Sequence, residues 1–279
     1  MTHQPAPPVA DGDLTTVLRQ LRPIIREHPR RTPGSVVLDG VRLRYVDLHS
    51  FYWQALQIME QRLYDFRSDE PSPLIIDCGA HVGLASAFFK SRFPRSSILA
   101  FEPDPSIAGM LRDNLRALGH DDVAVEAKAV WTDDRGVTFL RSHDDSGHVV
   151  SGTAAAGTGE TVPSVRLRDV LAAQERPVDL LKMDLEGAEF ALLRDCDGAL
   201  GAVRRLIVEV HCLRPSDDAG KDGGPGRNGL GDVLAILSRN GFRTVLHDLH
   251  HAVWEEPVLP TPFPVVATGR YIVTVYAWR

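Results

Sequence analysis

Between Leu74 and Phe89 an apolar run ends in an acid, passes two glycines and opens into a helical pattern. Leu74-Ile75-Ile76 reads as a buried strand closed by Asp77, Gly79 and Gly83 frame a loop, and Leu84 to Phe89 begins a helix. A strand that hands over to a helix through a glycine loop is the start of a βα unit. It places backbone N–H groups and a helix N-terminus at the carboxyl end of the strand. The unit then repeats: strand 98–101, helix 105–118 and strand 123–127 follow. After a less regular middle come helix 166–174, strand 178–183, helix 187–199, strand 206–210, helix 230–239, strand 243–246 and a strong β segment, 271–278. Such alternation predicts an α/β fold, a mostly parallel sheet with helices on both faces.

The flanks are read more coarsely. A chain of 279 residues, 43% hydrophobic, can bury a full core and suits one large domain with an extension. Residues 1–13 are polar and proline-bearing; they are expected to be disordered and lack the apolar core of a signal peptide. A helix over 14–27, a hairpin turning at Asp39-Gly40 and a helix capped by Ser50 make up an N-terminal extension, 14–70. The main domain is expected over 71–279. Within it, short strands 137–140 and 162–165 surround a Gly/Ser/Ala-rich loop, and the Gly/Asp/Pro-rich stretch 214–229 sits where a lid could sit. A net charge of −6 without a basic block argues against nucleic acid as the main partner. No stretch approaches the ~20 apolar residues of a membrane span. Cys78, Cys196 and Cys212 are too few for a disulfide framework or a zinc site and fit a reducing cytoplasm, the expected location.

The loop spacing narrows the ligand. A dinucleotide site wants G-x-G-x-x-G, whereas this loop reads D-x-G-x-x-x-G, with His81 where the second glycine would stand. That points to a nucleoside without a diphosphate, of which S-adenosylmethionine is the common one. Gly79 lets the backbone turn sharply, and the helix starting near Val82 can hold the ligand's carboxylate. Asp77 can accept a hydrogen bond from its ammonium. Glu102 ends the second strand 25 residues after Asp77, where an acid accepts hydrogen bonds from ribose hydroxyls. Taken singly these residues are an ordinary turn and a solvated acid; together they are far more specific.

A third segment, Val178-Asp179-Leu180-Leu181-Lys182-Met183-Asp184-Leu185-Glu186-Gly187-Ala188-Glu189, adds acids at the end of another strand. With Asp77 to Gly83, Ala100 to Pro105, Tyr64-Asp65-Phe66, Asn114 and Glu209-Val210-His211, it resembles the FkbM-type family of S-adenosylmethionine-dependent methyltransferases over roughly residues 55–212. His81 stands where that family usually carries asparagine. The resemblance implies a Rossmann-like class I fold, a seven-stranded mostly parallel sheet whose last strand, 271–278, inserts antiparallel beside 243–246. It implies S-adenosylmethionine held by Tyr64, Asp77, Gly79, Ala80, His81, Gly83, Glu102, Pro103, Asp104, Ala129 and Asp184, with the N-terminal extension as a cover. It also implies a small-molecule acceptor, most often a sugar or polyketide hydroxyl in a biosynthetic pathway.

Few catalytic residues are needed, because the sulfonium already activates the methyl group and the protein mainly aligns a nucleophile behind it. Asp184 is the first choice beside the methyl, and Glu186 is expected at the start of helix 187–199. His211, just beyond the fifth strand, is the first choice for a base. Glu189 reads as a helix-surface acid. Asp184, Glu209 and His211 offer oxygen and nitrogen ligands for a divalent metal, but nothing directs Glu209 and His211 at Asp184, and no metal is expected. N-methylation, a nucleotide-dependent oxidoreductase and a non-catalytic binder of the same nucleoside are the rival readings. The acceptor and the oligomeric state, a homodimer being one option, are not legible.

Overall fold

In the computed structural model, which describes residues 8–140, 147–150, 159–212, 229–248 and 271–279, several predicted boundaries move for identifiable reasons. Strand β1 (Asp11–Gly12) pairs in parallel with β2 (Gly34–Leu38), so the segment expected to be disordered is ordered from residue 8, and residues 1–7 lie outside the described residues. Helix α1 spans Leu14–Leu21, shorter than predicted. Pro23 has no N–H to give the carbonyl of Arg19, which ends the ladder. Strands β2 and β3 (Val41–Tyr45) form the predicted hairpin, with positive φ at Asp39 (50°) and Gly40 (80°), the geometry of a type I′ turn. Helix α2 (Leu48–Gln54) is capped by Asp47 and not by Ser50. The Asp47 carboxylate is buried, accepts hydrogen bonds from the Ser50 N–H (2.9 Å) and hydroxyl (3.1 Å), and is paired with Arg30. It is an N-cap three residues ahead of the predicted one. The helix runs on as a π-helical turn, Ala55–Glu60.

The βα repeats follow as β4 (Leu74–Cys78), α3 (Leu84–Arg92), β5 (Ser97–Phe101), α4 (Pro105–Ala117) and β6 (Ala124–Glu126). Next come β7 (Ala129–Trp131), β8 (Val137–Leu140), β9 (His148–Val150), β10 (Glu160–Val162), β11 (Ser164–Arg166) and α5 (Leu167–Ala172). The chain closes with β12 (Leu180–Asp184), α6 (Glu189–Asp195), β13 (Arg205–Cys212), α7 (Leu230–Arg239), β14 (Arg243–Asp248) and β15 (Tyr271–Trp278). Seven strands make one sheet in the order β14-β15-β13-β12-β4-β5-β6. The pairs β4–β12, β12–β13 and β5–β6 are parallel, and β15 lies antiparallel to both β13 and β14, as expected for an inserted last strand. This is a Rossmann-like α/β fold.

Pro163 divides the predicted strand 162–165. The part before it, β10, pairs antiparallel with β8, and the part after it, β11, pairs parallel with β7. Strand β7 was not legible in advance, being three residues long. Of the loop predicted over 142–160, residues 142–146 and 151–158 lie outside the described residues, as does the expected lid up to residue 228.

The chain forms two compact units. One comprises residues 8–73, 79–128 and 147; the other comprises 74–78, 129–140 and the described residues from 148 onward. The first is filled by Val82, Phe89, Ala100 and Leu111, and the second by Ile75, Ile76, Leu180, Leu181, Met183 and Val208. Strands this apolar on both faces belong to the middle of a parallel sheet.

Candidate active site

In the first unit the glycine loop is built from backbone geometry. Gly79 (φ 81°), His81 (φ 49°) and Gly83 (φ 97°) all occupy the left-handed region. A Cβ on Gly83 would fall 2.5 Å from Leu111 Cδ1, so this glycine is required twice over, by its angle and by the close approach of α4. His81 takes a positive φ, which histidine tolerates better than most residue types. The loop's own donors are engaged internally. The N–H groups of Gly79 and Ala80 donate to the Phe101 carbonyl (3.1 and 2.9 Å), and that of Gly83 to the Ala80 carbonyl (3.0 Å). The N–H groups of His81 and Asp104 donate to the two carboxylate oxygens of Glu102 (3.0 and 2.9 Å). What the loop offers an anionic group is therefore the start of α3, which Gly83 leaves without a side-chain cap.

Glu102 is buried and accepts both of those bonds. Asp104 caps α4 by accepting from the Ser106 and Ile107 N–H groups (2.8 and 3.3 Å), with partly exposed Pro103 between the two acids. Tyr64 is buried and stacked on Phe89, 6.4 Å between centroids, a packing role in this structure. Asn114 accepts from the Arg44 N–H (2.8 Å) and donates to the carbonyls of Arg44 (2.9 Å) and Val82 (2.8 Å), tying β3 to the glycine loop. The ring Nδ1 of His81 lies 3.1 Å from Gln54 Oε1, at the junction of α2 and the π-helical turn.

The second unit holds a corner built from charge. Lys182, inside β12, is buried with its Nζ 3.3 Å from Asp77 Oδ1, 3.6 Å from Asp184 Oδ2 and 3.5 Å from the Cys78 carbonyl. Burial alone would push its ammonium down. Asp77, Asp184 and Glu209 outweigh that and hold it above the ordinary lysine value. Lys182 was not singled out from sequence, although a lysine two residues before Asp184 in an apolar strand must share its face.

His211 lies within β13, opposite Ile272, and not beyond the strand as predicted. Its Nδ1 is 3.0 Å from Glu189 Oε1, while Nε2 is 3.5 Å from Glu186 Oε1 and 3.9 Å from Asp184 Oδ1. Glu189 is wholly buried, contrary to its reading as a surface acid, and also accepts from the Leu185 (3.1 Å) and Gly187 (3.2 Å) N–H groups. Helix α6 begins at Glu189, so Glu186 (φ 52°) sits in the turn before it and is not the helix start. Burial would lower the His211 pKa, yet Glu186 and Glu189 raise it well above the ordinary value. A histidine must be neutral before it can act as a base. These surroundings favour the imidazolium, which revises the reading of His211 as a base free at working pH. Glu209 shares a strand face with His211, as alternation requires, but the group that can converge on one ion is Asp184, Glu186 and His211. The Glu209 charge acts on Lys182 and on Tyr276, whose phenol is pushed up to about 12 by burial and by Glu209. Ala129 is enclosed in an apolar cluster with Val137, Phe139 and Val162.

The model of the Methyltransferase FkbM domain matches residues 77–244, more than half of the chain, which therefore belongs to that family. Methyltransferase 1 of Beauveria bassiana (strain ARSEF 2860) is 27% identical over 177 residues, 55% of this chain and 71% of that protein. Methyltransferase sdnD of Sordaria araneosa is 27% identical over 223 residues, 66% of this chain and 85% of that protein. Among solved structures, magnesium protoporphyrin IX methyltransferase from Synechocystis PCC 6803 with bound SAM aligns at a TM-score of 0.45 and 12% identity, covering 83% of each chain. Among the described residues no helix is long and apolar enough to cross a membrane.

Proposed function

We propose that this chain transfers the methyl group of S-adenosylmethionine to a hydroxyl of a small molecule. The observation that carries the reading is Glu102: a buried carboxylate held by the His81 and Asp104 N–H groups just past the strand that follows the glycine loop, the position from which an acid accepts from ribose hydroxyls. The uncapped start of α3 receives the donor's carboxylate, and the sequence pattern assigns its ammonium to Asp77, which is paired with Lys182. Asp184 orients the acceptor hydroxyl and takes its proton as the oxygen attacks the methyl carbon. The C–S bond breaks as the O–C bond forms, its electron pair returns to sulfur, and the sulfonium leaves as the neutral thioether. Glu186 and His211 hold Asp184 in position and set the local charge. Membership of a methyltransferase family supports the reaction class.

The test is a transfer assay with labelled S-adenosylmethionine and a panel of hydroxylated and aminated small molecules. S-adenosylhomocysteine should form with a hydroxylated acceptor. Asp184→Ala should abolish transfer and keep donor binding. Transfer only to amines would move the reading to N-methylation. Tight NAD(P) binding without donor binding would sink it.

A further inference from the structure

We infer that Gln54 is a positioning residue for the donor site: by accepting the His81 Nδ1–H it fixes the loop residue that presents an N–H to Glu102. His81 is held at both ends. Its backbone N–H donates to Glu102 Oε2 (3.0 Å), and its ring Nδ1 stands 3.1 Å from Gln54 Oε1. An amide oxygen can only accept, so Nδ1 carries the proton and the neutral ring keeps its lone pair on Nε2. The ring is buried, and the backbone sits at φ 49°. A residue with a side chain keeps a left-handed angle only where its surroundings over-determine it. Here the bond to Glu102 fixes the peptide plane and the bond to Gln54 fixes the direction of the side chain. Turning about N–Cα would carry the ring off Gln54, so the two bonds together set the angle.

The place of Gln54 in the first unit argues the same way. It ends α2, and the chain continues as the π-helical turn Ala55–Glu60. Such turns are rare and recur at functional positions. This one packs against α3, the helix that opens from the same glycine loop. The next loop residue is tied as well: Asn114 donates to the Val82 carbonyl while it binds both backbone groups of Arg44. Two consecutive loop residues are thus anchored to earlier elements of the unit, His81 to α2 directly and Val82 to β3 through Asn114. The inference rests on the function proposed above in one respect, that Glu102 receives the donor's ribose. Gln54 is assigned no contact with the donor and acts through His81.

Calorimetry of S-adenosylmethionine into the full chain tests it, with Glu102→Ala measured alongside and circular dichroism confirming that each variant folds. Gln54→Met, similar in size but without the acceptor, should weaken binding about fivefold or more. Gln54→Glu, which restores an acceptor oxygen, should stay within about twofold of wild type. Nitrogen resonances of ring-labelled histidine report the tautomer, and the His81 signal is identified by its loss in His81→Asn. It should show a protonated Nδ1 in wild type and in Gln54→Glu, and lose that preference in Gln54→Met. Wild-type affinity in Gln54→Met, equal losses in the Met and Glu variants, or a proton on Nε2 alone in the wild-type ring would overturn the inference. The last of these needs no variant at position 54. Weakened binding in Glu102→Ala beside wild-type affinity in Gln54→Met would strike this inference alone. Unchanged affinity in Glu102→Ala would contradict the donor-site reading and this inference with it.

Discussion

The glycine loop and the charged corner do comparable work by opposite means. The loop from Gly79 to Gly83 holds its shape through three positive φ angles and N–H groups donated to the Phe101 and Ala80 carbonyls and to Glu102. The corner holds its shape through side-chain charge, with Lys182 between Asp77 and Asp184 and His211 among three carboxylates. Steric constraint of the first kind is indifferent to pH and salt. Charge balance of the second kind fails when a partner is removed or titrated.

Removing a charge should have the largest effect. Lys182→Met leaves the buried Asp77 carboxylate without its cation and should cost about 3–5 kcal/mol in urea unfolding near neutral pH. A loss below about 1 kcal/mol would mean that the corner is not held by charge. A purely steric insult comes next. Gly83→Ala meets both a left-handed φ and Leu111, and should cost about 2–3 kcal/mol at every pH. A pH-dependent cost for Gly83→Ala would break the contrast.

A smaller effect lies in the pH profile of stability. Opposed by burial but outweighed by His211, the Glu189 pKa is lowered, so its contribution is present above the unfolded value of 4.5 and lost as pH falls through the folded value. The His211 pKa is raised, so its contribution is full below the unfolded value of 6.5 and lost as pH rises through the folded one. The pair therefore stabilises most between those limits, and Glu189→Gln should flatten the profile on both sides. An unchanged profile would remove the pair from the balance. Least of all, His81→Asn should alter stability by no more than about 0.5 kcal/mol, since both residues tolerate positive φ and the exchange gives up a contact with Gln54.

The same contrast explains what could be read in advance. Glycines at 79 and 83, the acid at 102 and the strand–helix alternation are local patterns, and each stands where it was expected. The corner was legible only as a set of residue types. Asp184, Glu186 and His211 were named, but their convergence depends on the turn at Glu186 and on His211 lying inside β13, neither of which has a local signal. Lys182 was legible from period-2 alternation and was passed over as part of an apolar run. Proline explains two further departures, Pro23 ending α1 and Pro163 splitting a strand, and Asp47 shows an acid winning a capping position from Ser50. The loops expected to choose the acceptor lie largely outside the described residues.

The central claim is that donor affinity follows the loop and turnover follows the corner. Titration calorimetry of S-adenosylmethionine into wild type, Glu102→Ala and Glu186→Gln tests it most directly. Loss of charge-assisted hydrogen bonds to ribose should weaken binding in Glu102→Ala by about tenfold or more. Glu186→Gln should bind within about threefold of wild type while losing transfer. Unchanged affinity in folded Glu102→Ala, or collapse of donor binding in Glu186→Gln, would contradict the account.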